Sequence, residues 1–488
     1  MVLLPVQFGR NPSAHLHYRS QGRGASFTIK RPALFLPRND TDQPLTSIEE
    51  LVEAFRGWGK PRDCWLTGTE YEMIGVNVHD PDRPAIPPYE GEFGIGAMFR
   101  ALAERGWEAI RDGDSIIALS KNNAQITCEP GGQFEHAMRP VRTARAMERD
   151  AREYIDELTE PSRACSLVWL AVGFRPFGRL EDGHWMPKAR YDIMREYLRS
   201  KGLLANEMMQ RTATVQCNLD YDDPDDAKAK FRCMMSVTSL LTAIYANSSI
   251  VDGKVSDYQS YRTFTWTDMD QDRCGILPFA FDDGDVFRNY VEWALDVPIP
   301  FIYRDGVHLR TGGRTFRRFL LEGFEGHRAT IDDWELHLSI LFPEVRIKRF
   351  IEVRGCDAGS FGMNMALAPL CRGLMYDKTA CREATKLTAG LSFDERIELW
   401  HAVARQGLRA KLPRLGHRVL DLARELVAIA DDGLSRHAPD DRYYLAPVRQ
   451  VVESGRTQAD ALADMWKRTG GAPRPLIEAL AYPGLGLA

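Results

Sequence analysis

Thr212-Ala213-Thr214-Val215-Gln216-Cys217-Asn218-Leu219-Asp220 alternates apolar and polar side chains with a period of two. Ala213, Val215, Cys217 and Leu219 fall on one face and Thr212, Thr214, Gln216, Asn218 and Asp220 on the other, the pattern of a strand with one buried face. Two further stretches share it and add charge. In Trp65–Ile74 the alternation puts Glu70 and Glu72 on one face, roughly 7 Å apart. In Val345–Arg354, read as one strand, Val345, Ile347, Ile351 and Val353 are apolar, while Arg346, Lys348, Glu352 and Arg354 oppose them. A solvent-facing strand alternates in the same way, so no single strand decides the matter. Three of them, two bearing carboxylates, point to a sheet with a concave polar face. Glutamates and arginines there suit Mg²⁺ and a triphosphate, because hard cations take carboxylate oxygens and arginines neutralise phosphoryl oxygens.

Outward from these strands the pattern is mixed. Further strands are expected at Ser115–Leu119, Gln125–Glu129 and Ser166–Val172, the first long one running from Trp65 to Val76. Helices are expected at Gly94–Arg105, Val141–Leu158, Tyr191–Arg199 and Asp225–Ala246, and from Ile48 after an N-cap at Thr46 or Ser47. Beyond about Leu370 the chain reads as almost wholly helical. Strands in mixed order with helices gathered late predict an α+β fold rather than the βαβ rhythm of a dinucleotide-binding sheet. The expected organisation is a basic, poorly ordered extension over residues 1–44 and a single catalytic domain over 45–488. Within it the sheet core covers about 45–370 and the helical part about 371–488.

Composition narrows the function. With 68 acidic and 63 basic residues the net charge is −5, and scattered basic residues do not suit nucleic acid. The longest uncharged run, Cys233–Val251, carries seven Ser, Thr or Asn residues, so it predicts a buried helix and no membrane span. Nine cysteines without CxxC spacing predict no disulfide and a reducing, cytoplasmic setting. Residues 1–39 contain no acidic side chain and six basic ones, Arg10, Arg19, Arg23, Lys30, Arg31 and Arg38. A transit peptide would read this way and would make the location organellar. Phosphate-loop, zinc-protease and nucleophile-elbow motifs are absent, and Asp268–Asp272 begins like a calcium loop but has Arg273 where glycine is needed. In Cys128-Glu129-Pro130-Gly131-Gly132-Gln133-Phe134-Glu135 the Gly-Gly step predicts a tight turn. A strict two-residue hairpin would place Glu129 and Glu135 on opposite faces, so both can meet one cation only if the turn is irregular.

Six stretches in order give a resemblance. Thr67–Glu72, Glu129–Glu135, Met186–Met194, Thr214–Asp220, Trp266-Thr267-Asp268 with Asp272-Arg273, and Phe342–Arg346 through Glu352–Gly355 resemble the plant and proteobacterial type of glutamate–cysteine ligase. The resemblance implies a glutamine-synthetase-like fold, a curved, mainly antiparallel sheet forming a funnel backed by helices. It also implies an ATP-dependent ligase that phosphorylates the γ-carboxylate of L-glutamate and passes it to the amine of L-cysteine, the first step of glutathione synthesis. ATP, Mg²⁺ and these small molecules would be its only ligands, and the chain would act as a monomer or homodimer. Carried over by motif, Glu70, Glu72, Glu129, Glu135 and Glu352 would bind metal, with Gln216 a neutral ligand. Arg262 and Arg354 would serve catalysis at the glutamate or the γ-phosphoryl group, while Lys188, Arg190, Tyr191, Asn218 and Phe361 would bind substrate. The family pattern departs at Tyr71, Met73-Ile74 and His136–Arg139, and at Phe361-Gly362, where it has Trp-Arg. That last change predicts an apolar, roomier edge to the acceptor pocket. The alternatives are a γ-glutamyl ligase for another amine, a guanidino-kinase-like phosphotransferase, and a binding protein without catalysis.

Overall fold

The alternating segments pair into one antiparallel sheet of nine strands. In chain order they are β1 (Thr67–Asn77), β2 (Glu108–Asp112), β3 (Ser115–Lys121), β4 (Ala124–Cys128), β5 (Phe134–Ala137), β6 (Leu167–Leu170), β7 (Thr214–Leu219), β8 (Val345–Ile347) and β9 (Ile351–Asp357). Across the sheet they run β8-β9-β7-β1-β5-β4-β3-β2. The sheet forks along β1, whose first half pairs with β5 and whose second half, from Ile74 opposite Leu170, pairs with β6. This computed structural model describes residues 43–487 and, before them, two short strands, His17–Tyr18 and Phe27–Thr28, which pair antiparallel. The chain divides into units at Met1–Pro37 and Arg38–Ala488. Apart from these strands and residues 43 and 44, the extension expected over residues 1–44 lies outside the described residues.

One face of the sheet is packed by helices. Among them are α1 (Ala144–Ala164), α3 (Pro224–Tyr245) and α5 (Phe361–Met375), whereas α2 (Ala189–Arg199) and α4 (Tyr261–Thr267) bring Tyr191 and Arg262 to the rim of the other face. Tyr71 and Met73 of β1 and Val215, Cys217 and Leu219 of β7 are buried beneath α1, α3 and α5. Their burial, about 1.5–3 kcal/mol for each large apolar side chain, fixes the register, because a one-residue slip would turn every glutamate inward. The C-terminal tail closes this side, with Tyr482 stacked 6.1 Å from Tyr71 and Ala171 N donating to Leu480 O at 2.8 Å. The uncharged run from Cys233 supplies the second half of α3, where Thr238 and Thr242 donate to Glu344 and to Gly355 O. Among the described residues no helix is long and apolar enough to cross a membrane.

The α+β class, the mainly antiparallel sheet and the helical C-terminal part agree with the sequence reading. Ser47 caps the first helix by accepting from Glu50 N at 3.4 Å. One strand needs correcting. Val345–Arg354 is not continuous but a hairpin, β8 and β9, turning through Lys348-Arg349-Phe350, with Lys348 N donating to Phe350 O. Its register pairs Arg346 with Glu352, which keeps the even-numbered residues on one face. Alternation therefore identified the correct face on a wrongly drawn element. Strands β2 and β5 were also missed. β2 is largely exposed, and β5 has only four residues, all buried, so neither alternates visibly.

Candidate active site

Register places the charged residues. Glu72 of β1 stands opposite Glu135 of β5, and Glu70 stands opposite Gln216 of β7. Glu352 of β9 stands opposite Asn218 of β7, whose amide donates to Glu70 Oε1 at 2.6 Å. Thr214 N donates to Glu72 Oε2 at 3.0 Å. The β4–β5 connection is irregular, with five residues, Glu129–Gln133, between the paired Cys128 and Phe134. Gly132 takes φ +87°, and a Cβ on Gly131 would lie 2.1 Å from Gln210 O. Only glycine fits both demands. The longer turn returns Glu129 to the face of Thr127 and Glu135, and Thr127 Oγ1 donates to Glu129 Oε1 at 3.0 Å.

The electrostatics separate two groups of carboxylates. Burial, then Glu129, pushes Glu72 up to about 8. Burial, then Glu129, Glu70 and Glu72, holds Glu135 well above the carboxylate range. Glu70 is raised by burial and by Glu352. These groups repel one another and lack enough positive charge. Glu352 is the opposite case. Burial alone would raise it, but Arg346, Lys348 and Arg354 outweigh that and hold it well below its usual value. Both of its oxygens accept from Arg346, while Lys348 Nζ and Arg354 Nη1 each lie 3.5 Å away.

The predicted cations border this row. Arg354 Nη1 donates to Gln216 Oε1 at 2.7 Å, and Arg262 Nη2 donates to Arg354 O at 2.9 Å. On the far side Lys188 Nζ donates to Tyr191 OH at 3.0 Å and lies 3.7 Å from Glu129 Oε1. Tyr191 OH donates to Cys128 O at 2.9 Å, and Arg190 lies over the Tyr191 ring. Twelve of the thirteen expected residues thus gather along the face or its rim. Phe361 does not. It begins α5 on the helical side, under the guanidinium of Arg152 from α1 at 4.8 Å. The idea that Phe361 and Gly362 widen an acceptor pocket is therefore withdrawn, because the sheet separates them from the carboxylates. Conversely, Arg346 and Lys348 were seen on the charged face but given no role. Their importance depends on the hairpin register, which alternation does not reveal.

For a divalent cation the fit rests on Glu70, Glu72, Glu129 and Glu135, whose mutual repulsion a positive ion would relieve. Among the described residues no group of three or more Asp, Glu, His or Cys side chains is placed to hold a metal ion by itself. Mg²⁺ needs only one or two carboxylates, since it keeps waters and completes its shell with substrate phosphates. Carboxylates beside arginines on one sheet face are the equipment of an enzyme that transfers phosphoryl groups by positioning and charge neutralisation.

Comparison with known proteins agrees. The sequence pattern of glutamate–cysteine ligase family 2 matches residues 66–479, and the chain belongs to that family of ligases. The chloroplastic glutamate–cysteine ligase of Brassica juncea is 37% identical over 445 residues, covering 90% of this chain and 85% of its own. The chloroplastic glutamate–cysteine ligase A of Oryza sativa subsp. japonica is 36% identical over 448 residues, covering 90% and 89%. Among solved structures, the Francisella tularensis glutamate–cysteine ligase in complex with AMP covers 84% of this chain and 86% of its own. It does so at 13% identity and a TM-score of 0.47.

Proposed function

We propose that this protein joins the γ-carboxylate of L-glutamate to the amine of L-cysteine at the expense of ATP, the first step toward glutathione. The observation that carries the reading is the row Glu70, Glu72, Glu129 and Glu135 beside Arg262 and Arg354, in a chain of this family. A γ-carboxylate oxygen attacks the γ-phosphorus of ATP, ADP leaves, and a γ-glutamyl phosphate forms. The cysteine amine then attacks the acyl carbon, loses a proton and expels phosphate. A bound Mg²⁺ would neutralise phosphate charge in the first step. The four repelling carboxylates would hold it, with Gln216 as a neutral neighbour. Glu352, both of whose oxygens accept from Arg346, would hold Arg346, Lys348 and Arg354 in place and contribute to the cation only through its remaining acceptor capacity. Arg354 and Arg262 face the transferring group, Lys188, Arg190 and Tyr191 line the glutamate side, and Asn218 orients Glu70.

The reading places the reaction among small molecules, in a monomer or homodimer in the cytoplasm. The plant relatives are named chloroplastic, which favours the organellar alternative for the acid-free N-terminal residues. The test is to supply ATP, Mg²⁺ and glutamate with a panel of amines and compare kcat/KM. Cysteine should be preferred over the other amines. Preference for a bulky or charged amine would reassign the protein to another γ-glutamyl pathway.

A further inference from the structure

Asp357, the last residue of β9, is 1% exposed, and among the described residues no ion pair is formed by it. It accepts three hydrogen bonds instead. Asn247 N and Ser248 Oγ donate to Oδ2 at 2.8 and 2.6 Å, and Ser260 Oγ donates to Oδ1 at 2.7 Å. Gly173 makes the room, since a Cβ there would lie 2.5 Å from Asp357 Cγ. Because both serine hydroxyls spend their protons on the carboxylate, their lone pairs are left to accept. Ser248 Oγ accepts from Arg262 N and Ser260 Oγ from Thr263 N, each at 3.1 Å. These are the second and third amides of α4, so Asp357 fixes the start of that helix through both hydroxyls.

Arg262 is the second residue of α4. The residue is 3% exposed, and its guanidinium reaches Arg354 O, three residues before Asp357 with only Gly355 and Cys356 between them. One strand therefore carries Glu352 and Arg354 and, at its end, the group that orients the helix bearing Arg262. A substituted hydroxyl or carboxylate would leave the arginine's backbone less constrained, although Ser248, Ser260 and Asp357 are themselves buried.

We infer that Asp357 is a positioning residue that sets Arg262 through Ser248 and Ser260. The inference rests on the ligase reading above, in which Arg262 faces the transferring group. The experiment is a double-mutant cycle on the full chain with Asp357→Asn and Arg262→Lys, measuring kcat and the KM for glutamate, with far-UV circular dichroism as the fold check. In the wild-type background Asp357→Asn should lower kcat/KM about 10-fold or more, and in the Arg262→Lys background by less than about 2-fold. The lost parameter, kcat or KM, should be the same one that Arg262→Lys loses. A residue that merely supports the fold would give losses that multiply. If Arg262→Lys is damaging and the losses multiply, or Asp357→Asn is harmless, the inference is overturned while the ligase reading stands. If Arg262→Lys is itself harmless, the role given to Arg262 fails and the inference goes with it. Should Asp357→Asn not fold, Ser248→Ala replaces it under the same criteria, because it keeps the carboxylate and removes the hydroxyl that links Asp357 to Arg262 N.

Discussion

Glu72 and Glu135 stand directly opposite each other on β1 and β5. Like charges in that relation repel by about 0.2–1 kcal/mol at an ordinary sheet site, and here burial and Glu129 add to it. Mg²⁺ should therefore raise the unfolding temperature without any substrate. At 100 times its Kd the gain is about 2.7 kcal/mol. Glu135→Gln should be more stable than wild type without metal and gain less from it. Thermal scans with and without Mg²⁺ check this, and equal responses of the two proteins would remove Glu135 from the cation site.

Glu352 is fully buried and depends on Arg346. Arg346→Met leaves that carboxylate with only two cations at 3.5 Å. Breaking a buried pair from one side costs about 3–5 kcal/mol, and that loss is the expected change in urea unfolding. A change below about 1 kcal/mol, the worth of an exposed pair, would show that Lys348 and Arg354 suffice.

Arg354 bonds Gln216 and approaches Glu352 with the same nitrogen, leaving the rest of its fork for an anion. An ammonium cannot reproduce bidentate contact with a phosphoryl group or carboxylate. Arg354→Lys should lower kcat/KM by about 100-fold, a loss of about 2.7 kcal/mol of transition-state stabilisation. Steady-state kinetics with ATP and glutamate decide it, and activity within a few-fold of wild type would reduce Arg354 to part of a general positive field.

Much of this site was legible in advance. Alternation alone put Glu70 with Glu72 and Gln216 with Asn218, because side chains on a strand repeat every two residues. The irregular turn after Cys128 also followed from asking how Glu129 and Glu135 could share a face. What stayed hidden is non-local. Arg346 meets Glu352 only because the chain reverses at Lys348–Phe350, and Asp357 meets Ser248 across more than a hundred residues. Phe361 was misplaced because a motif position says nothing about which side of a sheet the following helix covers.

His337 gives a pH dependence away from the site. Its Nε2 lies 2.7 Å from Ala294 O, and burial pushes the imidazole down to about 3. The unfolded chain takes up this proton near pH 6.5 and the folded chain only near pH 3. Between those values the unfolded state binds more protons, so stability falls as pH falls. From neutral pH to pH 5 the loss is about 2 kcal/mol for this one residue. Urea unfolding across that range should show the slope, and His337→Gln should flatten it. An unchanged slope would assign the acid sensitivity elsewhere.

The proposed reaction turns on an acyl phosphate made from glutamate. Its direct measurement uses glutamate labelled with ¹⁸O in the γ-carboxylate, incubated with ATP, Mg²⁺, cysteine and this protein. The account predicts γ-glutamylcysteine in step with ADP, and released phosphate that carries one labelled oxygen. Unlabelled phosphate, or ADP without a γ-glutamyl product, would contradict it.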